Sequence, residues 1–90
     1  MTVRRTVDIC NERGLHARAS AKFVKLASGF DAEVRVGRNG TSVDARSIMG
    51  LMMLAAGPGS HIEIAAEGSE AQTAVDALAE LVAARFDEER

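Results

Sequence analysis

A chain of 90 residues is long enough for one domain with a single core, and it leaves little material to enclose a deep pocket. The net charge of −2 at pH 7 argues against a nucleic-acid partner, which would need a clustered basic surface. The only aromatic residues are three Phe, so the core must be built mainly from Ala, Val, Ile, Leu and Met.

The single cysteine and the start of the chain bear on its location. Cys10 has no second cysteine to pair with, so nothing favours a secreted disulfide scaffold. Residues 1–5 lead directly into a strand-like pattern and lack the apolar run of a signal peptide. The longest apolar-rich stretch, residues 48–56, is far too short to span a bilayer. We therefore expect one domain over residues 1–90, in the cytoplasm and without membrane contact.

The elements begin with a strand and a helix. Residues 2–10 alternate between apolar and polar side chains, which predicts a half-buried strand. From about residue 16 to residue 28 the apolar side chains recur at steps of three and four, which predicts a helix. Gly29 follows directly, and its position predicts a left-handed glycine that ends this helix.

The middle of the chain predicts a hairpin and then a short helix. Residues 32–36 alternate as a second strand, and Asn39-Gly40 is a strong hairpin signal. Residues 41–43 would then form the returning strand. Residues 44–56 predict a second helix, which the following Gly-Pro-Gly run ends.

The last part of the chain predicts a fourth strand over residues 61–67 and a third helix. Ser69 is followed three residues later by Gln72, the form of a capping box, so we expect Ser69 to cap that helix. Residues 87–90 are expected to fray. The order β-α-β-β-α-β-α, with strands that each have one apolar face, predicts a sheet covered by three helices on one side.

The most informative short segment is Gly14-Leu15-His16-Ala17-Arg18. His16 falls where a loop becomes the first helix, and the free N–H groups and positive dipole end make such a place an anion site. A phosphoryl group on the imidazole would lie against those N–H groups, within reach of Arg18. A histidine there also serves as an ordinary polar cap, and the segment alone leaves both interpretations open.

Two segments resemble the signatures of one family. Residues 14–18 closely resemble the active-site motif of the HPr family, the histidine phosphocarrier proteins of the bacterial phosphotransferase system, and residues 45–56 resemble its second signature, around a regulatory serine. The spacing of the motifs, the chain length and the element order also match. The resemblance implies an α+β fold, an HPr-like open-faced two-layer sandwich with a four-stranded antiparallel sheet and three helices on one face.

The resemblance also implies a function. His16 would accept a phosphoryl group on Nδ1 from a phosphoenolpyruvate-charged enzyme I and pass it to a histidine of an enzyme IIA-type protein, with Arg18 as the supporting cation. Such a carrier is not itself an enzyme, needs no cofactor and is expected to be a monomer; sugar transport and the nitrogen-related branch both fit. Ala19 stands where the family commonly has Pro, a change that we expect a helix start to tolerate.

The second helix combines a serine with a run that is apolar almost all round. A short helix can bury only one stripe, so we expect Leu51 and Leu54 in the core and other residues exposed. The resemblance places partner contacts on this surface, and the candidates are Ala17, Arg46, Ile48, Met49 and Met52. Ser47 is the expected N-cap, and the resemblance makes it a regulatory phosphorylation site for an HPr kinase/phosphorylase. The basic residues Arg18, Arg46 and Lys22 or Lys25 would form a positive face around His16, opposite acidic partner surfaces.

Two other hypotheses stay open. The chain could be a purely regulatory binding module that signals through Ser47. It could also bind a metal through Cys10, His16 and His61, although their spacing fits no compact zinc pattern. Since the sequence has neither a Gly-rich phosphate loop nor a cluster of carboxylates, we expect no metal, and partners would have to supply the chemistry of transfer.

Overall fold

The computed structural model describes residues 2–90 and has the predicted order of strands and helices. The strands are β1 (Val3–Asp8), β2 (Glu33–Arg38), β3 (Thr41–Asp44) and β4 (His61–Glu67). The helices are α1 (Ala17–Ala27), α2 (Ile48–Met53) and α3 (Ala71–Ala83), and a short turn at Arg85–Asp87 follows α3. No helix within residues 2–90 has the length and apolar character needed to cross a membrane.

The four strands form one sheet in the order β1-β4-β2-β3, and every neighbouring pair is antiparallel. The first strand therefore lies beside the last, with Val3 opposite Ala66 and Asp8 opposite His61. Alternate side chains of the two central strands are buried on one face, and these are Val34, Val36, Ile62, Ile64 and Ala66. The three helices cover that face, which confirms the predicted open-faced sandwich.

Each helix sends at least one large apolar side chain into the shared core. Phe23 of α1, Leu51 of α2 and Leu78 of α3 are all fully buried. Burying a side chain of this size stabilises a fold by roughly 1.5–3 kcal/mol relative to leaving it exposed. The core therefore depends on the apolar stripes that the spacing of residues predicts for the three helices.

The hairpin between β2 and β3 forms where the sequence predicts it. Asn39 and Gly40 have φ values of 50° and 82°, and Arg38 pairs with Thr41 across the two-residue turn. Two successive left-handed residues are the requirement of a type I′ turn, which favours Asn-Gly.

The predicted bounds of the second helix and the predicted end of the first were wrong. Residues 44–47 form a turn before α2, because the N–H of Arg46 donates to the carboxylate of Asp44 at 2.8 Å and the N–H of Ser47 donates to the Asp44 carbonyl at 3.0 Å. Gly29 is not left-handed. Its N–H instead donates to the carbonyl of Leu26 at 3.1 Å, so a tightened last turn ends α1.

The predicted capping box of the third helix was also wrong. Glu70 is the N-cap of α3, and it has no side-chain capping bond. Ser69 donates to the carboxylate of Asp31, while Gln72 donates to Asp76 at 3.0 Å. The carboxylate of Glu70 accepts from the N–H of Asp31 at 2.8 Å. The loop before β2 therefore takes the hydroxyl of Ser69, while Gln72 bonds along α3 instead of reaching back to the start of the helix.

The end of the chain was expected to fray, but contacts with the rest of the domain hold it in place. Arg85, Phe86 and Asp87 have φ values of 57°, 54° and 62°, which reverse the chain after α3 and leave Phe86 fully buried. A left-handed residue other than glycine costs about 1–2 kcal/mol. The carbonyl of Phe86 accepts from Lys22 at 2.6 Å, so burial and this contact together offset the cost and hold the C-terminal turn (residues 85–87) against α1.

Phe86→Ala tests how firmly the C-terminal turn is held. Removing a fully buried Phe is expected to lower the free energy of unfolding by about 3–5 kcal/mol. Phe30→Ala is the control, because Phe30 is only half-buried and its removal should cost less. Urea unfolding followed by circular dichroism measures both; equal losses would show that Phe86 does not anchor the turn.

Candidate functional site

His16 is the N-cap of α1, the position predicted for it. Its backbone is extended, with φ −74° and ψ 179°, and its Nδ1 accepts the N–H of Arg18 at 3.2 Å. The carbonyl of His16 accepts from Ser20 at 2.9 Å and so begins the helical ladder. Nδ1 therefore lies at the unpaired N–H groups of the first turn, on the positive end of the helix dipole.

The loop before His16 is held by a close backbone approach. Gly14 has φ +63°, and a Cβ atom there would lie 2.3 Å from the carbonyl oxygen of Ala56 and 2.8 Å from Cα of Gly57. The N–H of the buried Leu15 donates to the same Ala56 carbonyl at 3.0 Å. Only glycine fits at residue 14, and this contact places His16 next to the segment that follows α2.

Gly14→Ala is expected to destabilise the protein and displace His16. Both Gly14 and Gly40 have positive φ, but a Cβ at Gly40 would meet nothing within 4 Å, so Gly40→Ala is a matched control. The left-handed backbone should cost about 1–2 kcal/mol in each variant, and the clash adds to the cost only at residue 14. Urea unfolding and the NMR signals of His16 measure the two effects. Equal stability loss and an unmoved His16 would contradict this account of the loop.

Glu88 contacts the other ring nitrogen of His16. Its Oε2 lies 2.5 Å from Nε2, and the two side chains are only 17% and 18% exposed. Its Oε1 accepts from Nδ2 of Asn11 at 3.0 Å, and the same Nδ2 donates to the carbonyl of Gly14 at 2.9 Å. Sequence reasoning missed Glu88 because it expected the tail to fray; Phe86, which continues the apolar stripe of α3, was the only signal that the tail is anchored.

The contacts of Glu88 shift its acidity. Burial alone would raise the pKa of its carboxyl group, but hydrogen bonds from Asn11 and His16, together with the charge of Lys22, outweigh burial and lower the pKa below the usual 4.5. The folded protein therefore favours the carboxylate form.

The lowered pKa of Glu88 predicts how stability depends on pH. Its stabilisation is complete above pH 4.5 and is lost as the pH falls through the lower value of the folded state. Wild type should therefore lose more unfolding free energy on acidification below about pH 4.5 than Glu88→Gln, while Glu89→Gln, at an exposed neighbour, should follow wild type. Urea unfolding across this pH range measures the slopes, and parallel curves for wild type and Glu88→Gln would contradict the shift.

The cations expected around His16 separate into two groups. Arg18 and Lys22 line a shallow charged depression together with residues 87–90 of the tail. The side chain of Arg18 forms no hydrogen bond or ion pair with another group in residues 2–90. Arg46 instead pairs with Asp44 and Glu33, each at 3.4 Å. These acidic neighbours hold the guanidinium of Arg46 and partly neutralise its charge, and its contribution to the positive face at His16 stays a prediction.

The second candidate region is α2. Ser47 is its N-cap, as predicted, and its Oγ accepts the N–H of Gly50 at 2.9 Å. Leu51 and Leu54 are buried, also as predicted. The exposed apolar side chains, here named the α2 patch, are Ile48, Met49, Met52 and Met53, of which sequence reasoning missed Met53.

The residues of the metal hypothesis are not gathered. Within residues 2–90 no group of three or more His, Cys, Asp or Glu side chains could hold a metal ion. Cys10 donates its thiol to the carbonyl of Val82 at 3.4 Å, and His61 lies exposed at the start of β4.

The fold and the site define a class: small α+β proteins that present one histidine at the N-terminus of a helix. The family model described as the PTS HPr component phosphorylation site matches residues 3–84. The phosphocarrier protein HPr of Cupriavidus necator is 52% identical over 86 residues, which cover 96% of this chain and 97% of that protein. The phosphocarrier protein NPr of Shewanella violacea is 45% identical over 86 residues, with 96% and 94% covered.

A solved structure agrees with these relatives. The crystal structure of HPr-C-His from Thermoanaerobacter tengcongensis matches with a TM-score of 0.93 at 39% identity, covering 98% of this chain and 99% of that one. The chain belongs to the HPr family of phosphocarrier proteins of the phosphotransferase system. Members of this family carry phosphoryl groups and are not enzymes in themselves.

Proposed function

We propose that His16 accepts a phosphoryl group on Nδ1 from phosphoenolpyruvate-charged enzyme I and passes it to a histidine of an enzyme IIA-type protein in the cytoplasm. The observation that carries this proposal is the position of Nδ1, which accepts an N–H of the first turn of α1 at 3.2 Å. A nitrogen that accepts a hydrogen bond holds a lone pair there, and a lone pair is what bonds to phosphorus.

The surroundings of Nδ1 suit the product of that transfer. Phosphoryl oxygens bonded to Nδ1 would accept the N–H groups of the first turn in place of the present contact with Arg18. The guanidinium of Arg18, exposed and unpaired within residues 2–90, can add charge-assisted hydrogen bonds to the same oxygens. Ala19, at the position where the family commonly has Pro, is fully buried in α1, so the first turn of this helix forms without the proline.

The α2 patch and the exposed Ala17 are the surface that we propose for docking donor and acceptor. Met49 and Met53 are 68% and 76% exposed. A patch of exposed apolar side chains on a folded domain commonly marks a protein–protein contact surface. Methionine adapts its shape to different partners, as a carrier with both a donor and an acceptor requires. The exposed guanidinium of Arg18, two residues after His16, favours an acidic group on the partner surface.

Ser47 is the site that we propose for regulation by an HPr kinase/phosphorylase. Its Oγ already accepts the N–H of Gly50, so a phosphate there would add charge at a helix N-terminus without unfolding α2. The same charge would stand beside Ile48 and Met49 and weaken docking to acidic partners. The proposal covers both the sugar and the nitrogen-related branch, because the same relay chemistry serves both.

Phosphorylation in vitro tests the proposal. Incubation with phosphoenolpyruvate, Mg²⁺ and enzyme I should add one acid-labile phosphoryl group to wild type and none to His16→Ala. His61→Ala is the matched control, because it removes the other histidine from an exposed position and should label like wild type. Intact-mass spectrometry at neutral and acid pH measures the label. An acid-labile mass gain that persists in His16→Ala would overturn the assignment.

A further inference from the structure

We propose that Glu88 is a positioning residue for His16: its carboxylate keeps the ring proton on Nε2, leaves the lone pair on Nδ1, and stabilises the positive charge that the ring gains when phosphorylated. This inference rests on the proposed function of His16 and adds a residue outside both signature segments. It is carried by the contact of 2.5 Å between Oε2 and Nε2.

A second hydrogen bond, from Asn11, holds the carboxylate of Glu88 in place. Its second oxygen accepts from Asn11, whose side chain is fully buried and also donates to the carbonyl of Gly14. Asn11 therefore ties the loop that presents His16 to the residue that contacts its ring. A carboxylate held at both oxygens cannot rotate away without breaking these hydrogen bonds.

The tail reaches His16 at an energetic cost. The three left-handed residues of the C-terminal turn lie directly before Glu88, and the buried Phe86 and the bond from Lys22 hold that turn in place. A strained backbone conformation persists only where contacts with the surrounding structure hold it in place, and such strain often accompanies a functional site. The strain here has a definite result, because it turns the chain back and brings the carboxylate of Glu88 onto the imidazole.

The hydrogen bonds at the two ring nitrogens specify one tautomer. Nδ1 accepts an N–H from Arg18 at 3.2 Å, a long hydrogen bond that favours the lone pair on Nδ1 but does not fix the tautomer by itself. A carboxylate only accepts, so Nε2 must be the donor in the contact with Glu88. A carboxylate that orients the far nitrogen of a reactive or metal-bound imidazole is a recurrent device in proteins.

The transfer step shows where the carboxylate acts. The Nδ1 lone pair forms a bond to phosphorus while the bond between phosphorus and the donor breaks, and that electron pair leaves with the donor. The His16 ring, now bonded to phosphorus at Nδ1 and to hydrogen at Nε2, carries a positive charge. The carboxylate of Glu88 faces that N–H and stabilises the charge, and when the acceptor takes the phosphoryl group the electron pair returns to Nδ1.

Three variants test this role. Glu88→Ala removes the acceptor, whereas Glu88→Gln keeps an acceptor oxygen and loses the charge. Glu89→Gln removes a neighbouring exposed carboxylate and serves as the control. The first measurement is the pair of ring ¹⁵N chemical shifts of His16 at alkaline pH, where the imidazole is neutral; it needs no partner. The second is the single-turnover rate of transfer from phosphorylated enzyme I.

We expect separated ring shifts in wild type, Glu88→Gln and Glu89→Gln, and convergent shifts in Glu88→Ala as both tautomers become populated. Transfer should slow about tenfold in Glu88→Ala, less in Glu88→Gln and not at all in Glu89→Gln. Unchanged ring shifts in Glu88→Ala would overturn the inference, even if transfer slowed. Failure of wild type to accept phosphate would instead contradict the proposed function, and the ring shifts would still decide whether Glu88 sets the tautomer.

Discussion

The close approach of Gly14 to the backbone of Ala56 and Gly57 is the contact on which the arrangement of the site depends. No side chain fits between these segments, and the neighbouring N–H of Leu15 bonds to the same carbonyl. The loop after β1 is thereby joined to the segment after α2. Since His16 follows this loop directly, its place at the start of α1 is set by a backbone contact between parts of the chain that are distant in sequence.

The order of strands makes this contact possible. β1 lies beside β4, and beyond the paired strands Ile9 continues the ladder with Ser60 at 2.8 Å and with Gly59 at 3.0 Å. The loop that leaves β1 and the loop that enters β4 therefore run together. A sheet in which the strands followed sequence order would separate these loops and leave His16 without the support of the α2 segment.

The helix α2 connects the segment that supports the His16 loop with Ser47, the site that we propose for regulation. Ser47 caps its N-terminus, while Ala56, just beyond its C-terminus, supports the loop of His16. Its six residues span about 9 Å at 1.5 Å per residue. A charge change at Ser47 therefore falls on the same short element that carries the exposed α2 patch.

Local patterns in the sequence predicted the element order, the stripes of the helices, the Asn39-Gly40 turn and the capping positions of His16 and Ser47. All of these depend on side-chain period, turn chemistry and capping, which act within a few residues. The HPr-like family also followed from sequence, because its two motifs stand at the expected separation.

Only the tertiary structure decided which polar groups meet across long stretches of chain. Ser69 bonds to Asp31 instead of capping α3, Arg46 pairs with Glu33, and Glu88 contacts His16 across 72 residues. Nothing in the local pattern distinguishes these partners from other exposed charges. The reversal at Phe86, which a helical period alone cannot show, decided that the tail covers the imidazole.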